Sequence, residues 1–183
     1  MISSLERKAA PLNLGVSHDK THAMLVCSRS KLAQHTHKPH LQFADGTRVS
    51  WASQSKYLGL TFDESMSFAP HVELLVPRFR KRITILKTLT STTWGCNSDL
   101  LRQLYVTFAL PVVLYGIHVY GYAATSTVFE EVHKLHRVAL RVITGCPKTT
   151  DTTLLHWEAK LHPLDYYQAR LAGRLFAKYT RLP

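Results

Sequence analysis

Acidic side chains are scarce in this 183-residue sequence: 12 Asp and Glu stand against 23 Lys and Arg, a net charge of +11 with histidine neutral. No two of those acids form a convincing catalytic pair. Cysteine is scarcer still. Cys27, Cys96 and Cys146 are odd in number, far apart and without a CxxC pair. That excludes a disulfide scaffold and a cysteine-based zinc site, and reads as reduced, buried thiols in an intracellular protein. No segment reaches the ~18–20 uninterrupted apolar residues of a membrane span. The best stretch, from Leu104 to Tyr122, is broken by Pro111, Gly116, His118 and Gly121. The first residues, MISSLERKAAPLN, lack the apolar core of a secretory signal. The expected compartment is the nucleus or cytoplasm, with no membrane partner. Internal repeats, low-complexity linkers, GxSxG elbows and HExxH motifs are all missing, which removes solenoids, serine hydrolases and zincins.

The remainder reads as a folded, basic protein. Apolar residues make up 45% and charged residues 19% of the chain, so it can build a core. A pI near 9.8 makes a polyanion the default partner.

The hydrophobic period changes along the chain, and an α+β fold is expected. Residues 1–66 are mixed and turn-rich. A short helix before Pro11, a buried strand at Ala23 to Cys27, and a polar loop from Arg29 to Pro39 are expected there. Asp45-Gly46 signals a hairpin turn between His40–Phe43 and Arg48–Trp51. Tyr57 to Phe62 reads as a strand with a bulge or close backbone approach at Gly59. Residues 67–183 read as helices. The first carries Val72, Leu75, Phe79, Ile83 and Leu86 at three- and four-residue steps. Pro70 suits its first turn, and Pro77 should kink it or delay its start. A second helix is capped at Asn97 or Ser98 and bent at Pro111. The third opens on the capping-box pattern Thr127-x-x-Glu130 and stops at Gly145. A fourth surrounds Leu154–Ala159, and a fifth runs from Pro163 toward Tyr179 with Leu171, Leu175 and Phe176 on one side.

Few residues suggest chemistry. Asp45 in Phe43-Ala44-Asp45-Gly46 is one aspartate short of a polymerase FADD motif, and turn chemistry explains it. The histidines of His35-Thr36-His37-Lys38-Pro39-His40, and the pairs His18/His22 and His133/His136, lack a companion cysteine. They read as solvated or stacked rather than as metal ligands. The basic run is more informative. At 100° per residue Arg78, Lys81 and Arg82 fall on one flank of the apolar stripe, and Arg80 and Lys87 on the other. Such a helix, seated on a core, can straddle a phosphate backbone. The plainer alternative is a solvated face.

The order of motifs resembles the C-terminal part of reverse transcriptases from non-LTR, jockey-like retrotransposons. His18-Asp19-Lys20-Thr21 before an apolar segment is similar to the end of polymerase motif D. Lys56-Tyr57-Leu58-Gly59-Leu60, then Phe62-Asp63 and Met66-Ser67-Phe68-x-x-His71, is similar to motif E and the entry to the thumb. Leu104-Tyr105, Leu110-Pro111, Leu114-Tyr115-Gly116 and Val119-Tyr120-Gly121 resemble the thumb-region helix. Leu140-Arg141-x-Ile143-x-Gly145 and Glu158 through His162-Pro163-Leu164 resemble the tail.

The resemblance implies a palm remnant with primer-grip hairpins over 1–66 and a helical thumb and connection bundle over 67–183. It implies that Lys20 is the motif D lysine, which in an intact polymerase protonates departing pyrophosphate. Lys56, Tyr57, Leu58 and Gly59 would grip the primer end. Arg78, Arg80, Lys81, Arg82 and Lys87 would hold RNA, RNA–DNA or DNA duplex. Two departures matter. The family pattern Gly-Leu-x-Leu-Asn before the lysine reads Asn13-Leu14-Gly15-Val16-Ser17 here. The metal-binding aspartates of motifs A and C should precede Lys20, yet Glu6 is the one acid before Asp19. The expectation is therefore a fragment that binds template–primer but lacks the catalytic aspartates. Mg²⁺ and dNTPs would belong to the intact parent enzyme, with a missing fingers–palm portion as a possible partner. The rival readings are a stand-alone basic nucleic-acid-binding module and a non-functional element remnant.

Overall fold

A computed structural model describes residues 2–28, 31, 38–90 and 95–181. Most of the polar loop around His35 and His37 lies outside the described residues. The chain divides into two compact units, Met1–Ser67 and Phe68–Pro183. The α+β class is as expected, with small strands in the first unit and helices dominating the second.

The first unit opens on α1 (Ile2–Ala9), which tightens into a 3₁₀ turn at Ala10–Leu12 around Pro11. The stretch Ala23 to Cys27 is not the buried strand expected. Only β1 (His22–Ala23) is extended in a ladder, parallel to β2 (Ser50–Trp51), and Val26 is exposed. Cys27 instead donates its backbone N–H to the Glu64 carbonyl at 3.0 Å. The Asp45-Gly46 turn forms as read. Asp45 accepts from the Thr47 amide and hydroxyl at 2.9 and 2.7 Å, and Gly46 takes φ +85°. Those bonds hold the Asp45 carboxyl below its ordinary range, with the Thr47 hydroxyl foremost.

A second correction concerns Gly59. Rather than a bulge inside one strand, Leu58-Gly59 forms the two-residue turn of a hairpin. Its strands are β3 (Gln54–Tyr57) and β4 (Leu60–Asp63), paired Tyr57↔Leu60 through Gln54↔Asp63. Both turn residues lie at positive φ, +46° and +83°, as a type I′ turn requires. At the other end of β4, half-buried hydroxyls of Ser65 and Ser67 donate to the Asp63 carboxylate.

The second unit begins with α2 (Ala69–Thr88). Pro70 sits in its first turn, and the helix runs on through Pro77. Pro77 neither delays the start nor ends the helix, because Val72, Leu75, Phe79, Ile83 and Leu86 all bury on one side of it. Next comes α3 (Ser98–Leu104), capped by the Asn97 side chain on the Leu100 amide at 2.8 Å. Its ladder then widens to a π turn over Tyr105–Ala109, where Leu110 bonds back to Tyr105, and α4 (Leu110–Leu114) follows. Pro111 lacks an N–H, and the π turn is the local accommodation. Gly116 at φ +72° then redirects the chain into α5 (Ile117–Ala123).

Helix α6 (Ser126–Thr144) packs against α2 and α7 (Thr152–Ala159). Its N-terminus lacks the side-chain cap that Thr127-x-x-Glu130 suggests, because the helix already begins at Ser126 and Thr127 lies inside its first turn; the Glu130 carboxylate pairs with Arg137 Nη2 at 2.5 Å. Gly145 at φ +73° ends the helix as read. Asp151 caps α7. Helix α8 (Leu164–Tyr179) packs on α5, where Gly121 lets the buried Gln168 side chain approach. Leu164 and Gln168 of α8 are buried, Leu171 and Leu175 are half-buried, and Phe176 is 72% exposed, so cover of the expected apolar side thins toward the end of the helix.

Among the described residues no single helix is long and apolar enough to cross a membrane. The segments Ser98–Leu114 and Ile117–Ala123 pass together by length and composition, but bend by 59°. Their Tyr105, Ala109, Val113, Ile117 and Tyr120 are buried in the core.

Candidate nucleic-acid interface

The five cations assigned to α2 meet different fates. Its core stripe orients the helix, so residues on the opposite side stand in solvent. Arg78, Arg80, Lys81 and Lys87 are exposed and Arg82 is half-buried. Arg80 Nη2 pairs with Glu131 Oε1 of α6 at 2.7 Å. Arg82 donates to the Phe108 carbonyl and lies 4.8 Å from the Phe108 ring centroid. These two arginines tie helices together, which sequence spacing cannot reveal. Arg78, Lys81 and Lys87 form no ion pair among the described residues. Arg78 and Lys81 share an outward strip with exposed Leu74 and Ile85. Beside that strip lies a shallow groove of about 350 Å³ lined by Val76, Pro77, Arg80, Lys81 and Thr84.

In the first unit, Lys56, Tyr57, Leu58 and Gly59 occupy the tip of the β3–β4 hairpin. Tyr57 is 66% and Leu58 73% exposed. The next two residues, Leu60 and Thr61, are buried, so β4 anchors the hairpin while its tip stands out. Lys20 ends the 3₁₀ turn His18–Lys20 and is exposed. Its neighbour His18 stacks on Phe43 with ring centroids 4.0 Å apart, and its Nδ1 lies 3.4 Å from Asp45.

The histidines divide in the same way. Among the described residues no three His, Cys, Asp or Glu side chains converge as metal ligands. His136 departs from the solvated reading. It is buried between the Tyr105 hydroxyl on Nδ1 and the His162 carbonyl 3.2 Å from Nε2. Burial, reinforced by His156, pushes its pKa down to about 3, so the ring is neutral. Burial also raises the Tyr105 phenol and lowers His156, whose Nδ1 lies 3.0 Å from the Leu161 carbonyl. The three cysteines are free and half-buried rather than buried.

Sequence reasoning missed a cavity of about 680 Å³ between α6, α7 and the start of α8. Arg137, His133, His156, Trp157 and Lys160 contribute to its wall. The only signal available in sequence was an aromatic beside a basic residue in Trp157-Glu158-Ala159-Lys160.

Comparison with known proteins places these features in a context. No family model matches the chain, and no solved structure matches it. It is 32% identical over 137 residues to a probable RNA-directed DNA polymerase from transposon BS of Drosophila melanogaster. That alignment covers 75% of this chain and 15% of the relative. It is 33% identical over 103 residues to the RNA-directed DNA polymerase from mobile element jockey of Drosophila funebris, covering 56% of this chain and 11% of that one. A probable RNA-directed DNA polymerase from transposon X-element of Drosophila melanogaster is 25% identical over 174 residues, 93% of this chain and 18% of the relative. The chain thus spans less than a fifth of the length of these curated relatives. Over most of its own length it is similar to the RNA-directed DNA polymerases of non-LTR mobile elements, the kinship that its motif order implies.

Proposed function

We propose that this chain is the template–primer-gripping part of a reverse transcriptase of a transposable element. The observation that carries the reading is the solvent side of α2, where Arg78 and Lys81 on one flank and Lys87 on the other stand exposed without acidic partners among the described residues. Cations fixed in this way neutralise backbone phosphates and release counterions. The ligand is RNA, RNA–DNA or DNA duplex. The exposed hairpin tip from Lys56 to Gly59 rests against the primer end, with Leu58-Gly59 bringing backbone close to the strand. The helical unit acts as the thumb.

Bond making belongs to the whole polymerase. The aspartates that hold Mg²⁺ in two-metal nucleotidyl transfer would come from its fingers and palm, a protein partner of these 183 residues. Lys20 would act as general acid toward pyrophosphate only in that assembly. The site of action is intracellular, nuclear or cytoplasmic.

The test is duplex binding followed by fluorescence anisotropy across a salt series. Each phosphate contact contributes ~0.9 to the slope of log K against log salt. Replacing Arg78, Lys81 and Lys87 together by Ala reduces the slope by roughly 2–3. An unchanged slope in a variant with unchanged circular dichroism refutes the α2 face. Arg82→Ala serves as the contrast, because it removes a helix–helix tie rather than an outward cation.

A further inference from the structure

The cavity between α6, α7 and α8 is not used by the reading above, and its wall is unusual for a structural crevice. Its volume, about 680 Å³, lies in the range of small-ligand sites. Trp157 is on its rim and is 80% exposed, although the same helix buries Leu155 and Ala159. Most of the indole surface therefore remains open to a ligand. Lys160 is on the wall as well. It closes α7 in the left-handed conformation at φ +52°, with its N–H on the Trp157 carbonyl. Helix ends of this kind favour glycine. Lys160 takes that conformation with its side chain exposed. Arg137 adds a planar guanidinium whose Nη2 is held by Glu130. The one carboxylate on the wall, Asp165, lies 3.7 Å from His133 Nε2.

We propose that this cavity takes one nucleotide of a single strand. The base stacks on the Trp157 indole, and the adjoining phosphate lies against Lys160. An exposed aromatic with an unpaired cation beside it is the general chemistry of single-strand capture, in which every base offers a π-face and every phosphate a charge. The ligand class rests on the function proposed above, but the residues are separate from α2.

The experiment compares a short single-stranded RNA with an abasic strand of equal length and charge, titrated against the full chain. Stacking on one aromatic corresponds to roughly 5- to 150-fold in affinity. Trp157→Ala weakens the base-bearing strand by that factor and leaves the abasic strand unchanged, while Trp157→Phe retains most of the affinity. Lys160→Gly relieves the strained turn and weakens both strands. Equal losses for both strands with Trp157→Ala, or no loss for either, overturn the pocket. Saturable binding of AMP that is lost in Trp157→Ala identifies a free nucleotide as sufficient ligand, and its absence assigns the pocket to a strand. In the α2 triple variant the base-dependent difference persists, so failure of the α2 face and failure of the pocket are distinguishable.

Discussion

His136 makes acid stability a quantitative test of the helical core. The ring is neutral and enclosed, with a folded pKa of about 3 against an ordinary value of 6.5. Protons therefore bind the unfolded chain first as pH falls. A depressed folded pKa on a base means full stability above 6.5, progressive loss below it, and a floor near pH 3. Between pH 7.5 and 5.0 this one residue costs about 2 kcal/mol, from 1.36 kcal/mol per pKa unit over the 1.5 units crossed below 6.5. Urea unfolding at a series of pH values reads the effect directly. His136→Gln keeps hydrogen-bonding capacity toward Tyr105 and the His162 carbonyl but does not titrate. Its stability therefore falls by about 2 kcal/mol less than that of the parent over the same interval. His156 and His71, whose pKa values burial also lowers, remain in both proteins and cancel in the difference. Identical pH profiles for parent and variant would refute a neutral, buried His136.

Leu58→Asn suits the left-handed turn position better than leucine and raises stability by about 1 kcal/mol. Gly59→Ala lowers it by about 1 kcal/mol in the same denaturation assay. In duplex binding, Leu58→Asn weakens primer-end contact if the hairpin tip touches the strand, and unchanged affinity counts against that contact. Arg82→Ala reduces thermal stability by loosening α2 from the Phe108 turn but leaves the salt slope within error of the parent. Primer extension with Mg²⁺ and dNTPs yields no product from these 183 residues alone, and robust extension would show that the chain carries its own metal-binding acids.

Local signals were the most legible part of the sequence. Asn97, Gly145 and the Asp45-Gly46 pair act within a few residues of themselves, and each forms the cap or turn its chemistry predicts. The apolar period of α2 was legible for the same reason, since burial of Phe79 and Ile83 follows from spacing alone. The structure departs from the pattern where a segment's partner or boundary is set by residues outside that pattern. Ala23 to Cys27 is apolar enough for a strand, but a strand needs a neighbour along its length, and β2 pairs only His22 and Ala23. Thr127-x-x-Glu130 has the spacing of a capping box, yet the helix already begins at Ser126, which puts Thr127 inside the first turn and leaves Glu130 to pair with Arg137 two turns later. Tyr57 to Phe62 looked continuous because sequence pattern does not show that Leu58 and Gly59 reverse the chain.

The sequence by itself determined the charge excess, the helical periods and the kinship with mobile-element polymerases. Those properties reside in composition, in spacing and in the order of short motifs. Tertiary structure decided which cations of α2 have protein partners among the described residues and which do not. Arg80 and Arg82 reach partners 51 and 26 residues away, whereas Arg78, Lys81 and Lys87 do not. It also decided that His136 is buried and neutral and that Trp157 is exposed beside Lys160. Both outcomes depend on how α6 and α7 pack, and a helix carries no local record of the neighbour that will cover it.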